Sequence, residues 1–160
     1  MTKRLALQIN NTKIKESVIN YFRGKDVEIC EQDNADLIAL YDDSCDIKKN
    51  TINLHPSLLP SFKGKDAIKE SYLAGVKVSG ITIHRVEPDN FYGKIIAQVP
   101  ILIGNDTHFD EFETEIINIA SKIFPKVIET VLEGKVFDFS DLFKSSGCGG
   151  NCSSCGGCKH

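Results

Sequence analysis

The sequence predicts an α/β fold of three layers around a mostly parallel central sheet whose C-terminal part turns antiparallel. Three observations predict it. Short apolar runs alternate with helical patterns through the first half of the chain, the order that builds parallel sheets. Asp36-Leu37-Ile38-Ala39-Leu40-Tyr41 is nearly continuous apolar sequence, as in a central strand covered on both faces. Val76–Val86 then alternates over a long stretch and is followed closely by Lys94–Ile101, which reads as an antiparallel pair.

Each element has its own local reason. Leu5–Ile9 is a buried first strand. Asn10-Asn11-Thr12 supplies a loop and a helix N-cap, because short polar side chains can accept from the first free amides of a helix. Lys13–Phe22 brings Ile14, Val18, Ile19, Tyr21 and Phe22 to roughly helical spacing, and Gly24 stops that helix. Val27–Cys30 alternates as a short strand, with Cys30 a small buried hydrophobe. After the Asp36–Tyr41 strand, Asp42 to Asp46 and Lys48 to Asn50 form a short polar connection; its carboxylates fit a solvated turn better than an acid–base or metal site. Thr51–His55 is the next strand, and Gly64–Gly75 carries Ala67, Ile68, Tyr72 and Leu73 on one helical stripe. The Val76–Val86 strand has His84 near its end, Pro88–Gly93 is loop chemistry, and Lys94–Ile101 is the last strand. Asp106-Thr107 starts a long helix, roughly His108–Leu132, with Phe109, Phe112, Ile116, Ile119, Ala120 and Ile123 at helical spacing and Pro125 as a point of kinking or division.

Composition bounds the function. A chain of 160 residues makes one domain with a real core, and 41% hydrophobic with 26% charged residues is ordinary for a globular protein. A net charge of −3 gives no basic footprint for nucleic acid. No apolar run reaches the ~18 residues a membrane span needs, and Leu5–Ile9 is too short and Gln-interrupted for a signal peptide. The expected location is cytoplasmic, where thiols stay reduced. Four of the six cysteines crowd the C-terminus, which reads as a metal or redox tail rather than a disulfide framework. The expected organisation is a folded domain over 1–144 and a tail over 145–160.

One stretch stands out for chemistry: Asn53-Leu54-His55-Pro56-Ser57-Leu58-Leu59-Pro60-Ser61-Phe62-Lys63-Gly64. An amide and an imidazole two residues apart share a face if the run is extended. Two prolines then stiffen the segment and end the regular structure. A hydrogen-bond donor and a proton-transfer group are thereby fixed relative to each other at a strand end. The plain alternative is a strand-to-loop turn in which His55 is polar filler. Ligands of open α/β sheets bind beyond the carboxyl ends of the strands, where this loop falls, and that favours the chemical reading.

With these residues on the page, the chain resembles the folate-dependent formyltransferase family, most closely its phosphoribosylglycinamide members. Four runs carry the resemblance: Asn53–Pro60 with Phe62 and Gly64; Ala67 and then Ala74–Val86; Gly93–Pro100; and Asp106-Thr107 followed by a helix reaching Phe124–Ile128. They cover about half the chain in order, and the first is the specific one. The resemblance implies a formyltransferase-like fold and 10-formyltetrahydrofolate as cosubstrate. It implies that Asn53 donates to the oxyanion formed when an amine attacks the formyl carbon, and that His55 stabilises charge and moves protons. Leu58, Leu59, Phe91, Tyr92 and Ile95 would line the folate pocket.

Three departures qualify what is carried over. The family's catalytic Asp falls seven residues after the position of His84, where this chain has Phe91, so Asp89 is the carboxylate that would substitute through a remodelled loop. The glycine-rich phosphate loop is replaced by Asn10-Asn11-Thr12-Lys13, which argues against a phosphoribosyl substrate. The connection from Tyr41 to Thr51 is too short for the family's usual helix. The expected activity is formyl transfer to a small amine other than phosphoribosylglycinamide; a catalytically silent folate- or metal-binding sensor or partner module is the alternative. Expected partners are a folate and a small amine, with room for a homodimer and with neither nucleic acid nor membrane.

Phe137–Phe143 reads as a short docking turn or amphipathic segment, and Ser145-Ser146-Gly147 as a flexible linker. Beyond it, Cys148, Cys152, Cys155 and Cys158 stand at spacings that can wrap one zinc ion or an iron–sulfur cluster, with glycines easing the turns. Cys148, Cys152 and Cys155 also match the three-cysteine motif of radical enzymes, but the barrel those enzymes need is missing.

Overall fold

The computed structural model describes residues 2–41 and 50–139. The polar connection after Tyr41, up to Lys49, and the whole cysteine tail with its domain boundary lie outside the described residues. In chain order the elements are β1 (Lys3–Ile9), α1 (Thr12–Phe22), β2 (Val27–Ile29), β3 (Leu37–Tyr41), β4 (Thr51–His55), α2 (Ala67–Leu73), β5 (Val78–Val86), β6 (Ile95–Leu102) and α3 (Phe109–Leu132). They form one six-stranded sheet in the order β2-β1-β3-β4-β5-β6. The first four strands run parallel, and β5 and β6 are antiparallel to their neighbours. The fold is the mixed α/β arrangement with an antiparallel C-terminal part that the hydropathy pattern predicts.

The register divides the sheet into two faces. Leu5 pairs with Leu37, Ala39 with Ile52, and Leu54 with Ile83, so these apolar side chains share one face. They form a single core with Ile14 and Val18 of α1 and Phe112, Ile116, Phe124 and Ile128 of α3. Full burial of each such side chain contributes roughly 1.5–3 kcal/mol, so this one cluster accounts for much of the stability. The other face carries Leu40, Asn53, His55, Thr82 and His84, which pair in the same register. At β4 and β5 the loop that follows β4 lies against it, bonded to Thr82 through the Ser57 carbonyl and the Leu59 amide.

Local chemistry explains the element ends. Asn11 caps α1, its Oδ1 accepting the Ile14 amide at 3.1 Å. At the start of α3 the His108 amide donates to Glu111 Oε2 at 3.2 Å.

Several expectations need correction. α3 runs undivided through Pro125, because Phe124, Pro125, Val127 and Ile128 are all buried against the sheet and that packing outweighs one lost helical hydrogen bond. α2 begins at Ala67 rather than Gly64, and Leu73 leaves the apolar stripe at 72% exposure while Ser71 is buried instead. Cys30 lies just beyond β2 and is only half-buried, because the chain turns there into a 3-10 segment, Gln32–Asn34, that the hydropathy pattern does not reveal.

Candidate active site

β4 ends where the parallel sheet meets its antiparallel part, and the register there sets the site. Asn53 lies opposite His84 and His55 opposite Thr82, so two facing pairs project from one face of adjacent strands. The alternation Ile81-Thr82-Ile83-His84 puts the apolar partners into the core and the polar ones into the site. A β-bulge interrupts the β5–β6 ladder between Ile83 and His84. Bulges re-aim side chains beside functional sites, and this one falls at the histidine that meets Asn53.

Asn53, His55 and His84 are 1%, 0% and 0% exposed. Asn53 Nδ2 lies 3.3 Å from His84 Nε2, and His84 Nδ1 lies 3.0 Å from the Arg85 carbonyl. The same carbonyl accepts the Gly93 amide at 3.1 Å. A Cβ on Gly93 would stand 2.7 Å from that oxygen, so a glycine is required for the approach.

His55 Nε2 lies 2.9 Å from the Phe62 carbonyl. A carbonyl only accepts, so Nε2 carries a hydrogen, and when the ring is neutral its lone pair sits on Nδ1. Ser57 Oγ donates to the Ser61 carbonyl at 2.6 Å and to the Phe62 carbonyl at 3.2 Å. Phe62 adopts φ 51°, a left-handed conformation that costs an L-residue roughly 1–2 kcal/mol. The two donors into its carbonyl hold it there.

The loop is also fastened to the sheet. The Thr82 hydroxyl donates to the Ser57 carbonyl at 2.7 Å and accepts from the Leu59 amide and from Gln98 Nε2, each at 3.0 Å. Gln98 also donates to the Leu59 carbonyl at 2.9 Å. Leu59 is buried, and the Leu58 side chain lies over Gly80, where a Cβ would meet Leu58 Cδ2 at 3.0 Å and the Val99 carbonyl oxygen at 2.0 Å. The Leu59–Pro60 peptide is cis.

Two aromatic side chains cover the polar group. The Tyr92 ring meets His55 edge-on at 5.5 Å and His84 at 5.6 Å, and its hydroxyl accepts the Gly64 amide at 2.9 Å. Phe91 packs against His84 at 5.9 Å and Tyr92 at 5.1 Å. An aromatic ring therefore stands on His84 at the position of the expected carboxylate. Asp89 is exposed on the turn bounded by the Glu87–Asn90 bridge, apart from the buried Asn53 and His55. Ile95 begins β6 opposite His84 and is partly exposed. Cys148, Cys152, Cys155 and Cys158 lie outside the described residues. Among the described residues no group of three or more His, Cys, Asp or Glu side chains could hold a metal ion.

Sequence reasoning missed His84 as the partner of Asn53, and Thr82 with Gln98 as the anchors of the loop. The signal was present in part: alternation puts Thr82 and His84 on one face, but the register opposite Asn53 and His55 is a long-range fact.

The chain is similar in sequence and fold to known proteins. A family model described as formyl transferase matches residues 45–128. The phosphoribosylglycinamide formyltransferase of Bacillus subtilis is 44% identical over 81 residues, 51% of this chain and 42% of that relative. The human trifunctional purine biosynthetic protein adenosine-3 is 36% identical over 85 residues, which are 53% of this chain and 8% of that one. The match thus spans less than half the length of these relatives. Among solved structures, phosphoribosylglycinamide formyltransferase from Anaplasma phagocytophilum superposes with a TM-score of 0.71 at 20% identity, covering 88% of this chain and 90% of that one. The Campylobacter jejuni enzyme gives a TM-score of 0.68 at 26% identity, covering 81% and 97%.

Proposed function

The chain belongs to the formyl transferase family, and from that premise we propose that it moves a formyl group from 10-formyltetrahydrofolate to a small amine. The observation that carries this is the buried Asn53–His84 pair beside His55, at the carboxyl end of β4. Attack forms a bond between the amine nitrogen and the formyl carbon and pushes the C=O electron pair onto oxygen. An Asn53 N–H is placed to stabilise that oxyanion. Collapse breaks the bond to the folate nitrogen, and the proton lost by the amine ends on that nitrogen. His55 relays it through Nδ1, because Nε2 keeps its hydrogen on the Phe62 carbonyl. The environment suits the cosubstrate: Leu58, Leu59, Phe91, Tyr92 and Ile95 offer apolar and aromatic surface around polar groups. Asp89 reaches the site only if its turn is remodelled, so the catalytic assignment rests on Asn53 and His55.

The acceptor is not phosphoribosylglycinamide in this reading. At the α1 N-terminus Asn11 already caps the helix and Lys13 Nζ is engaged by Asn118 Oδ1. The cleft there, about 580 Å³, presents Asn10, Thr12, Tyr41 and Glu113 in place of converging glycine amides. A small amine without a phosphate fits such a lining. The location proposed is cytoplasmic; no helix among the described residues is long and apolar enough to cross a membrane.

The test is release of tetrahydrofolate from 10-formyltetrahydrofolate by the full chain across a panel of amines. Turnover that disappears in His55→Ala is expected, and no release with any amine contradicts the enzyme reading. The ring of Phe91 on His84, where the family carries a carboxylate, favours a second reading, a silent folate-binding member, which measurable turnover would exclude. For the tail we propose one zinc ion or iron–sulfur cluster on Cys148, Cys152, Cys155 and Cys158, supported by their spacing alone. Metal analysis of anaerobically purified full chain against a chain ending at Ser146 tests this, and equal metal content in both defeats it.

A further inference from the structure

Asn53 Oδ1 is a buried acceptor with no hydrogen-bond partner among the described residues. Which atom of the amide is left over follows from a chain of polarity that begins on the backbone. The Arg85 carbonyl can only accept, so His84 Nδ1 bears a hydrogen. A neutral imidazole so protonated accepts at Nε2, and the atom facing Nε2 must donate. Asn53 therefore turns its Nδ2 toward His84. Its Oδ1 cannot take that place, because two acceptors would then oppose each other. One N–H of the amide is spent on His84, and a second N–H and Oδ1 remain.

We propose that Asn53 Oδ1 accepts an N–H of the attacking amine and aims the amine lone pair at the formyl carbon, with His84 as the positioning residue that sets the direction of the amide. This rests on the formyl-transfer reading of the site. The N–H and C=O edges of a primary amide lie side by side. One amide can thus hold the developing oxyanion and the incoming nitrogen together, which are neighbours across the forming bond. The proposal gives the nucleophile a holding group in a chain that carries Phe91 where the family has a carboxylate. It also selects a substrate class. A primary amine can keep one N–H on Oδ1 while it loses the other proton through His55 to the folate nitrogen. A secondary amine has a single N–H for both tasks. Primary amines should therefore be preferred acceptors, and their formylated product retains the N–H that Oδ1 holds.

Two measurements on the full chain test it. Nitrogen NMR of ¹⁵N-histidine protein, with His84 assigned through His84→Gln, should show hydrogen on Nδ1 and a bare Nε2. A hydrogen on Nε2 overturns the proposal whether or not the protein turns over. Tetrahydrofolate release is then followed with methylamine and dimethylamine as probes. His84→Ala should cut turnover on the order of 10²-fold, the scale of a misplaced reacting group. His84→Gln, which carries an acceptor oxygen to the place of Nε2, should recover much of it, with dimethylamine the poorer acceptor throughout. A Gln variant no better than Ala, both melting like the wild type, or equal use of the two amines, overturns the proposal. Absence of wild-type turnover with every amine overturns the formyl-transfer reading itself, a result separable from a wrong His84 tautomer.

Discussion

β4 and β5 have two faces built from alternating residues of the same strands, and the two are buried by different physics. Ile52, Leu54, Ile81 and Ile83 lie in the apolar core under α1 and α3. Asn53, His55, Thr82 and His84 are as deeply buried, but on the other face His55 and Thr82 are hydrogen-bonded to the loop after β4, Asn53 meets His84, and Phe91 and Tyr92 pack over the histidines. Dispersion and apolar burial are non-directional, so the first face contributes stability and tolerates repacking. Hydrogen bonds contribute little net stability yet demand geometry, so the second face contributes position. The difference teaches where stability and chemistry reside in this fold: one residue apart, on opposite sides of one sheet.

The largest expected effect lies on the apolar side. Phe124→Ala should cost about 3–5 kcal/mol of unfolding free energy, read from urea denaturation, because a fully buried ring leaves a cavity under the sheet. A loss below about 1 kcal/mol would show that the core is not the mainstay assumed here. On the polar side, Asn53→Ala should lower tetrahydrofolate release by about 10²–10³, or about 2.7–4 kcal/mol of barrier, with a much smaller change in melting. Equal losses in both readouts would merge the two faces into one structural role.

Thr82→Val sharpens the comparison at its boundary, since it keeps shape and removes the hydroxyl that the loop depends on. The Leu59 amide and the Ser57 carbonyl lose their partner, at a cost of about 1–3 kcal/mol, and the Leu59 amide should exchange faster with solvent. Unchanged exchange there would show that the loop is held by packing alone.

The smallest effect is electrostatic and concerns how α1 is tied to α3. Burial alone pushes the Glu129 carboxyl up, but hydrogen bonds from Lys25 at 2.7 Å and Tyr21 at 2.5 Å outweigh it and leave the group below its ordinary value. A carboxyl lowered in the folded state contributes stability above its unfolded pKa and loses it as pH falls through the folded value. Melting temperature should therefore decline on acidification below the ordinary glutamate range, and Glu129→Gln should flatten that decline without touching turnover at neutral pH. An acid limb identical in both proteins would remove this link from the account.

Much of this was legible in the sequence, for reasons that residues make plain. Strand positions follow from apolar runs and alternation, so β3, β4 and β5 are visible, and Asn53 with His55 follows from strand periodicity. What escaped depends on contacts distant in sequence. Asn53 meets His84 across the β4–β5 register, and no local pattern specifies that register. The Thr82 and Gln98 anchors depend on how a proline-containing loop folds back over the sheet. Pro125 misleads because local helix chemistry argues for a break while burial of its neighbours holds the helix together. Leu73 misleads because the chain places it just past the buried part of α2, where an apolar side chain faces solvent.

The most direct test of the whole account sets Leu54→Ala beside His55→Ala, adjacent residues of one strand facing opposite ways. Both variants would be followed by urea denaturation and by tetrahydrofolate release at a temperature where each remains folded. Leu54→Ala is predicted to lose about 2–5 kcal/mol of stability and keep near wild-type turnover per folded molecule. His55→Ala is predicted to lose turnover by about 10²–10³ with a smaller loss of stability. Full turnover in His55→Ala would contradict the account, because the polar face would then be a second core rather than a site.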